Sequence, residues 1–120
     1  MSEIQDLAKA LQKFSDARDW HQFHSPKNLA TALIVEAAEL LERFQWVTEE
    51  QSRTMPKDSL PLIAEEIADV QIYLIQLATK LNIDIAKSVK KKIAKNAKKY
   101  PVKTSFGNAT KSPGKGKRKP

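Results

Sequence analysis

Four carboxylate residues of this chain stand in two pairs with the same spacing. Glu36 and Glu39 form one pair, and Glu66 and Asp69 form the other. Residues three apart point to one side of a helix, so two such helices packed together would direct four carboxylates at one small volume. Like charges tolerate such a volume when a cation lies among them, and oxygen ligands of this kind suit Mg²⁺ or Mn²⁺. The spacing therefore predicts a Mg²⁺ site, with Mn²⁺ as the alternative ion, that serves a phosphate-containing substrate.

The competing interpretation is that these acids are ordinary surface residues of helices. Their register favours the metal site, because each pair lies on the flank of an apolar arc when a helix is drawn with about 100° per residue. The first arc contains Leu29, Leu33, Ala37, Leu40, Phe44 and Val47. The second arc contains Ile63, Ile67, Val70, Leu74, Leu77, Ala78 and Leu81. Both helices thus repeat one arrangement, with an acid pair at the edge of a stripe that should be buried.

Capping residues and apolar periodicity predict the helices that must position these acids. The first helix begins after Ser2 and runs to about Asp19. The second begins after Ser25, with Pro26 in its first turn, and runs to about Trp46.

The third helix is capped by Asp58 or Ser59 and ends near Asn82, and a fourth is capped by Asp84 and stopped by Pro101. No segment alternates as a strand does. The pattern predicts an all-α fold with four main helices in a bundle.

Composition and charge restrict the classes of protein. The 120 residues include no Cys, which excludes a disulfide framework, a thiolate metal site and a Cys nucleophile. The polar N-terminus and the lack of a long apolar run predict a cytoplasmic protein with no membrane partner. Six of the seven net positive charges arise from residues 101–120, which carry six Lys or Arg and no acid. We therefore predict one folded domain over residues 1–102 and a disordered basic tail over 103–120, for which nucleic acid is not the expected partner.

Aromatic and polar residues near the acid helices are candidates for nucleotide binding. Trp20, Phe23 and His24 lie in the loop before the second helix, and Trp46 lies at its end. Aromatic faces commonly hold exposed bases, although packing at helix ends is an equal alternative for the two Trp residues. Tyr73 lies one turn after Asp69 and is a candidate partner for a sugar or phosphate, with a place in an interface as the equal alternative. His24 is a candidate for a hydrogen bond to a base or phosphate, and packing of the loop is the favoured alternative.

The predicted fourth helix is rich in Lys, and most of these side chains must face solvent. Lys92, Asn96 and Tyr100 share one stripe of this helix. A stripe with an amide among lysines could reach triphosphate and sugar oxygens.

Together these residues resemble the MazG-like, all-α nucleoside triphosphate pyrophosphohydrolases. The signature of that family is E-x-x-E followed by E-x-x-D on helices, which matches residues 36–39 and 66–69. The flanking segments resemble the dCTP pyrophosphatase branch, and they are residues 18–29, 44–46, 69–73 and 96–101. The resemblance covers about residues 1–102.

The resemblance implies hydrolysis of a nucleoside triphosphate to the monophosphate and pyrophosphate. It implies that four side chains bind Mg²⁺, namely Glu36, Glu39, Glu66 and Asp69. It implies that seven further residues contact the substrate. They are Trp20, Trp46 and His24 at the base, Tyr73 and Asn96 at the sugar, and Lys27 and Lys92 at the phosphates. It also implies a homo-oligomer, with a tetramer built as a dimer of dimers favoured over a dimer.

Two positions depart from the family pattern. Val35 stands where some relatives carry an additional Glu before the first motif, so a spare carboxylate is lacking there. Leu11 stands where the dCTP branch is expected to carry a His. The contact from that His to the base is therefore missing, and strict selectivity for dCTP does not follow.

The chemistry of such a site is hydrolysis assisted by a metal. Mg²⁺ neutralises phosphate charge and lowers the pKa of bound water, and a carboxylate then accepts the proton. Glu39 is the candidate general base, because it lies farther from the apolar arc than Glu36 does. The sequence thus predicts a Mg²⁺-dependent dNTP pyrophosphatase, with dCTP-like substrates preferred, that removes surplus or modified nucleotides. The alternatives are the same fold acting on dUTP or purine triphosphates, and a non-catalytic helical module that binds nucleic acid.

Overall fold

The computed structural model describes residues 2–110, and within that range the chain forms six α-helices. No residue in this part of the chain belongs to a β-strand, which confirms the predicted all-α fold. The helices divide between two compact units, Met1–Ile83 and Asp84–Pro120. The first unit holds α1 (Glu3–Ala17), α2 (Pro26–Glu42), α3 (Glu49–Ser52) and α4 (Leu60–Lys80), and the second holds α5 (Ile85–Lys99) and α6 (Val102–Ser105).

Three helices begin at the residues that the sequence predicts. The Ser2 hydroxyl accepts from the Gln5 amide while the Gln5 side chain accepts from the Ser2 amide, which is a complete capping box at the start of α1. The Ser25 hydroxyl accepts from the backbone N–H of residue 28 at 3.1 Å, and the Asp84 carboxylate accepts from that of residue 87 at 2.9 Å. These caps satisfy donors that a helix leaves unpaired at its first turn.

The start of α4 differs from the prediction. Ser59 occupies the N-cap position, but its hydroxyl donates to the Pro56 carbonyl at 2.6 Å and does not cap the helix. A 3₁₀ turn over Lys57–Ser59 precedes α4. The Ser59 hydroxyl is hydrogen-bonded within this turn and therefore does not bind a backbone N–H of the helix. The predicted side-chain cap by Asp58 or Ser59 is therefore wrong.

The end of α2 also differs, because the helix stops at Glu42 and not near Trp46. Beyond that point the backbone bonds reach back three residues, as in Phe44 N–H to Leu41 O at 2.9 Å and Val47 N–H to Phe44 O at 3.0 Å. Such bonds tighten the chain into turns. The short helix α3 follows, with its own capping box between Thr48 and Gln51.

Two helices of the first unit end in the same backbone motif. At the end of α1 the Trp20 amide donates to the Ser15 carbonyl at 3.0 Å and the Asp19 amide donates to the Asp16 carbonyl at 3.2 Å. Asp19 has a φ of +53°, in the left-handed region. This pattern is the Schellman motif, which closes a helix and reverses the chain. α4 ends in the same way, with Asn82 at a φ of +56°.

The core of the first unit lies where α4 packs against α1 and α2. Among the described residues, four apolar side chains are buried: Leu29, Ile63, Ile75 and Ala78. Four residues that the periodicity assigns to the two buried arcs are exposed, namely Ala37, Ile67, Leu74 and Leu81. The predicted burial of these residues is wrong in the single chain. Periodicity identifies the apolar face of a helix but does not identify the surface that covers it.

The second unit contains the Lys-rich helix α5, which ends before Pro101 as the sequence predicts. The predicted boundary between domain and tail at residue 102 falls inside α6, so residues 103–105 are helical. Residues 111–120 of the predicted tail lie outside the described residues. Across residues 2–110, none of the helices has both the length and the apolar character that crossing a bilayer requires.

Candidate active site

The two acid pairs lie on the two helices that pack against each other in the first unit. α2 carries Glu36 and Glu39, α4 carries Glu66 and Asp69, and all four side chains are half-buried. The negative charges of the other three acids act on Glu36. The fold therefore brings the four carboxylates that the spacing singled out into one electrostatic cluster, which we call the acid cluster.

Glu36 is the most constrained member of the acid cluster. A hydrogen bond shared with Glu39 raises the pKa of Glu36 to about 7, with burial and the charges of Glu39, Asp69 and Glu66 adding to the effect. That bond exists when one of the two carboxyls carries a proton. The Oε2 atom of Glu36 is buried and has no hydrogen-bond partner among residues 2–110. A buried carboxylate oxygen without a donor is costly, and a cation is a group that relieves the cost.

The donor set of the acid cluster fits a hard divalent cation. It consists of carboxylate oxygens, which Mg²⁺ and Mn²⁺ prefer. Within the described part of the chain, no three acidic or imidazole groups converge closely enough to form a complete metal site. The cluster is thus a set of interacting charges and not a closed coordination shell, and the metal remains a prediction.

Arg43 is a cationic neighbour of the acid cluster that the sequence analysis missed. Its Nη2 atom lies 3.8 Å from Oε1 of Glu66, whose side chain is only 12% exposed. With Glu39 and Glu42 it borders an open polar depression of about 450 Å³. The signal was present, because Arg43 follows Glu39 by four residues and must share its side of the helix.

A cleft of about 330 Å³, the front cleft, opens beside the acid cluster. It joins two of the acids, Glu36 and Asp69, to three residues predicted to bind substrate. These three are Trp20, His24 and Tyr73, and the remaining walls are Leu11, Phe14, Ile72 and Gln76. The front cleft therefore combines charge at one side with aromatic surface at the other, which is the arrangement that a nucleotide requires.

Trp20 is held in the wall of the front cleft by contacts on both sides. Its ring meets the ring of Phe14 edge to face at 5.6 Å, and the ring of His24 in the same manner at 6.4 Å. Its backbone N–H is bound to the carbonyl of Ser15 through the motif that ends α1. Edge-to-face contacts of this kind fix the orientation of a ring while leaving a face exposed.

His24 is neutral near neutral pH. Burial lowers the pKa of its imidazole, and the nearby His21 and Lys80 lower it further. A neutral imidazole has one donor and one acceptor nitrogen. His24 can therefore exchange hydrogen bonds with a base or sugar without adding charge to the cleft.

Four of the predicted substrate residues are not placed at the front cleft within this unit. Trp46 is 88% exposed in the turns after α2 and does not line the cleft. Lys27 is exposed in the first turn of α2 and is also absent from the lining. Lys92 and Asn96 are exposed residues of α5 in the second unit. The substrate roles of these four residues stay predictions.

A smaller cavity of about 210 Å³, the rear cavity, lies behind the front cleft. The two spaces share Leu11, His24 and Gln76 as lining residues. His21, which lines the rear cavity, pairs with the exposed Asp16, and Lys80 Nζ lies 3.2 Å from His21 Nδ1. The sequence analysis missed Gln76, although a polar residue three positions after Tyr73 on an apolar helix was a usable signal.

Comparisons with known proteins identify sequences related to this chain. A sequence model of the MazG-like family matches residues 32–113. The chain is 39% identical over 110 residues to dCTP pyrophosphatase 1 of Mus musculus, covering 90% of this chain and 65% of that protein. It is 37% identical over 102 residues to dCTP pyrophosphatase 1 of Homo sapiens, covering 82% of this chain and 59% of that protein. The chain thus spans a little under two thirds of the length of these curated relatives.

A solved structure also shares the fold. The crystal structure of a pyrophosphatase from Archaeoglobus fulgidus superposes with a TM-score of 0.79 at 39% sequence identity. The match covers 84% of this chain and 94% of that chain.

Proposed function

Because this chain belongs to the MazG-like family, we propose that it hydrolyses nucleoside triphosphates to the monophosphate and pyrophosphate. The membership confirms the family resemblance seen in the sequence. The observation that carries the proposal is the front cleft, in which Glu36 and Asp69 lie beside Trp20, His24 and Tyr73. The front cleft thus combines carboxylates that suit a metal–triphosphate with an aromatic wall that suits a base.

The proposed cofactor is Mg²⁺, with Mn²⁺ as a substitute. Its proposed ligands are the members of the acid cluster, Glu36, Glu39, Glu66 and Asp69. The buried and unpaired Oε2 of Glu36 supports this assignment, as does the exclusively oxygen donor set. When bound, the metal supplies neutralisation of phosphate charge and a water molecule of lowered pKa.

The side chains of this chain supply the remaining parts of the reaction. We assign Glu39 as general base, which accepts a proton from water as the new P–O bond forms. The anhydride bond between the α and β phosphates breaks, and pyrophosphate leaves with the bonding electrons. Trp20 and His24 hold the base and Tyr73 approaches the sugar, so that positioning and charge stabilisation carry most of the rate.

The proposed substrates are dNTPs, with dCTP-like nucleotides preferred, and the proposed role is removal of surplus or modified nucleotides. The support is that curated relatives at 37–39% identity are named dCTP pyrophosphatase 1. Action on dUTP or on purine triphosphates by the same cleft is the alternative. The cytoplasmic location expected from the sequence stays a prediction.

The proposed assembly is a homotetramer built as a dimer of dimers. Large apolar side chains on the outer surface of α2 and α4 support an oligomer, among them Ile34, Leu41 and Ile67. A row of exposed apolar residues on paired helices is typical of a face that another copy covers. Native mass spectrometry of the full chain would count the subunits, and a monomer at micromolar concentration would contradict the assembly.

The test of the proposed function is release of pyrophosphate from a panel of dNTPs and NTPs, with Mg²⁺ and with EDTA. We expect release that needs the metal and that is lost in D69N. The matched control is E65Q, because Glu65 is an exposed acid of the same helix and should retain activity. Absence of release from every triphosphate with Mg²⁺ or Mn²⁺ would contradict the enzyme and favour the helical binding module.

A further inference from the structure

Gln76 is a polar residue at the boundary of two spaces. It lines the front cleft together with Glu36 and Asp69, and it lines the rear cavity together with His21 and Lys80. It follows Asp69 by seven residues, or two helical turns, so the two side chains lie on one face of α4. Along α4, Gln76 therefore lies at the end of the front cleft opposite the acid cluster.

The carboxamide of Gln76 is held by a buried serine. Its Nε2 atom donates to the hydroxyl of Ser15 at 3.3 Å, and Ser15 is only 1% exposed. The backbone carbonyl of Ser15 also accepts from the amide of Trp20 at 3.0 Å. One residue of α1 thus positions both the aromatic wall of the front cleft and the amide at its end.

The hydrogen bond to Ser15 uses only part of the capacity of Gln76. A carboxamide has two N–H donors and one oxygen acceptor. Gln76 makes one side-chain hydrogen bond within the described residues, which leaves the oxygen and the second N–H for a ligand. The neighbouring walls, Leu11 and Ile72, are apolar and offer no partner to the polar edge of a base.

A base that enters the front cleft must satisfy its polar edge, because a buried donor or acceptor without a partner is costly. We propose that Gln76 selects the base of the nucleotide by pairing with an edge that has an amino group beside a ring nitrogen. Its oxygen accepts from the exocyclic amine, and its second N–H donates to the ring nitrogen. Glutamine pairs with adenine through such a matched donor and acceptor, and the amino edge of cytosine has the same order.

This assignment rests on the proposed function, because it takes the front cleft as the site of the base. It concerns a different property, however, namely the ranking of substrates. Uracil and thymine present a carbonyl beside an N–H, the reverse order, so dUTP is the substrate that Gln76 disfavours. Leu11 stands where the family resemblance leads us to expect a His. The amide of Gln76 on α4 lines the same cleft and takes the place of that missing contact to the base.

The experiment compares kcat/KM for dCTP and dUTP in the full chain and in three variants. Wild type should prefer dCTP, and Q76L should reduce the dCTP to dUTP ratio about tenfold, the order of magnitude for losing one bidentate pair of hydrogen bonds to a base. Q76E should also reduce the ratio, because a carboxylate cannot donate to the ring nitrogen of cytosine and can accept from the ring N–H of uracil. Q12L is the matched control, because Gln12 lines the rear cavity but not the front cleft, and its ratio should equal that of wild type.

A ratio within twofold of wild type in Q76L would overturn the proposal, as would an equal change in Q12L or a wild type that prefers dUTP. Equilibrium binding of dCMP and dUMP separates this failure from failure of the enzyme. If wild type releases no pyrophosphate, but Q76L binds dCMP more weakly than wild type does and binds dUMP equally well, the assignment of Gln76 is supported and the proposed reaction is contradicted. If neither monophosphate binds to the inactive chain, both fall.

Discussion

The guanidinium of Arg43 lies 3.8 Å from the carboxylate of Glu66 and connects α2 to α4 beside the acid cluster. At this distance, and with the Arg43 side chain 39% exposed, the pair contributes little to stability, within about 1 kcal/mol. Its effect on charge is more important. A fixed positive group offsets part of the repulsion among four carboxylates, and it competes with any cation that they bind.

Removal of the Arg43 charge should strengthen binding of a divalent cation. We expect R43Q to bind Mn²⁺ about threefold more tightly than wild type, the order of magnitude for one charge several ångströms away in a solvated site. Titration followed by electron paramagnetic resonance would measure this affinity. R53Q is the control, because Arg53 pairs with Glu49 and Glu50 on α3. Weaker binding in R43Q would show instead that Arg43 is needed to hold Glu66 in place.

The raised pKa of Glu36 predicts that the metal-free protein loses stability as the pH rises. The folded state keeps the Glu36 proton up to about pH 7, whereas the unfolded chain releases it near 4.5. Between these values the folded state binds more protons, so the free energy of unfolding falls with rising pH and then levels off. Urea unfolding in EDTA should show this fall in wild type and a flatter dependence in E36Q. A parallel fall in both proteins would contradict the assignment to Glu36.

The pKa of His24 should lie below its ordinary value of 6.5 and should respond to Lys80. Burial is the largest cause of the lowered pKa of His24, so K80Q should raise this pKa only part of the way back to 6.5. Because the folded value is lowered, His24 reduces stability as the pH falls below about 6.5. Titration of the imidazole protons by nuclear magnetic resonance would measure the shift, with K9Q on α1 as the control. An unchanged value in K80Q would remove Lys80 as a cause.

Truncation of Leu29 should destabilise the first unit strongly. Leu29 is 1% exposed in the first turns of α2. L29A removes buried methyl groups and leaves a cavity, which should cost about 3 kcal/mol in the free energy of unfolding. V102A, at an exposed position of α6, should cost little. Urea unfolding at one fixed protein concentration would compare them, and a cost for L29A equal to that of V102A would contradict the assigned core.

The sequence predicted best what depends on local chemistry. The caps at Ser2, Ser25 and Asp84 are confirmed, because a cap needs only a side chain and an amide a few residues away. The cap at Ser59 is wrong because a nearer carbonyl, that of Pro56, competes for the hydroxyl. Local signals therefore fail where a second local partner exists.

The acid pairs could be found from spacing alone, because two residues three apart on a helix share a side whatever surrounds them. Arg43 and Gln76 were missed, since their importance arises from contacts with Glu66 and Ser15 on other helices. The exposure of Ile67 was missed for a related reason. A single sequence gives the apolar face of a helix but not the surface that packs on it.

The reversal of the chain at Asp19 has a consequence for the energetics of ligand binding. Trp20 is the residue whose amide closes the end of α1 on the carbonyl of Ser15, so its backbone belongs to the helix terminus and not to a loose loop. A wall built in this way already exists before the proposed nucleotide binds. Little conformational entropy is then spent on ordering it, and more of the contact free energy is available as affinity.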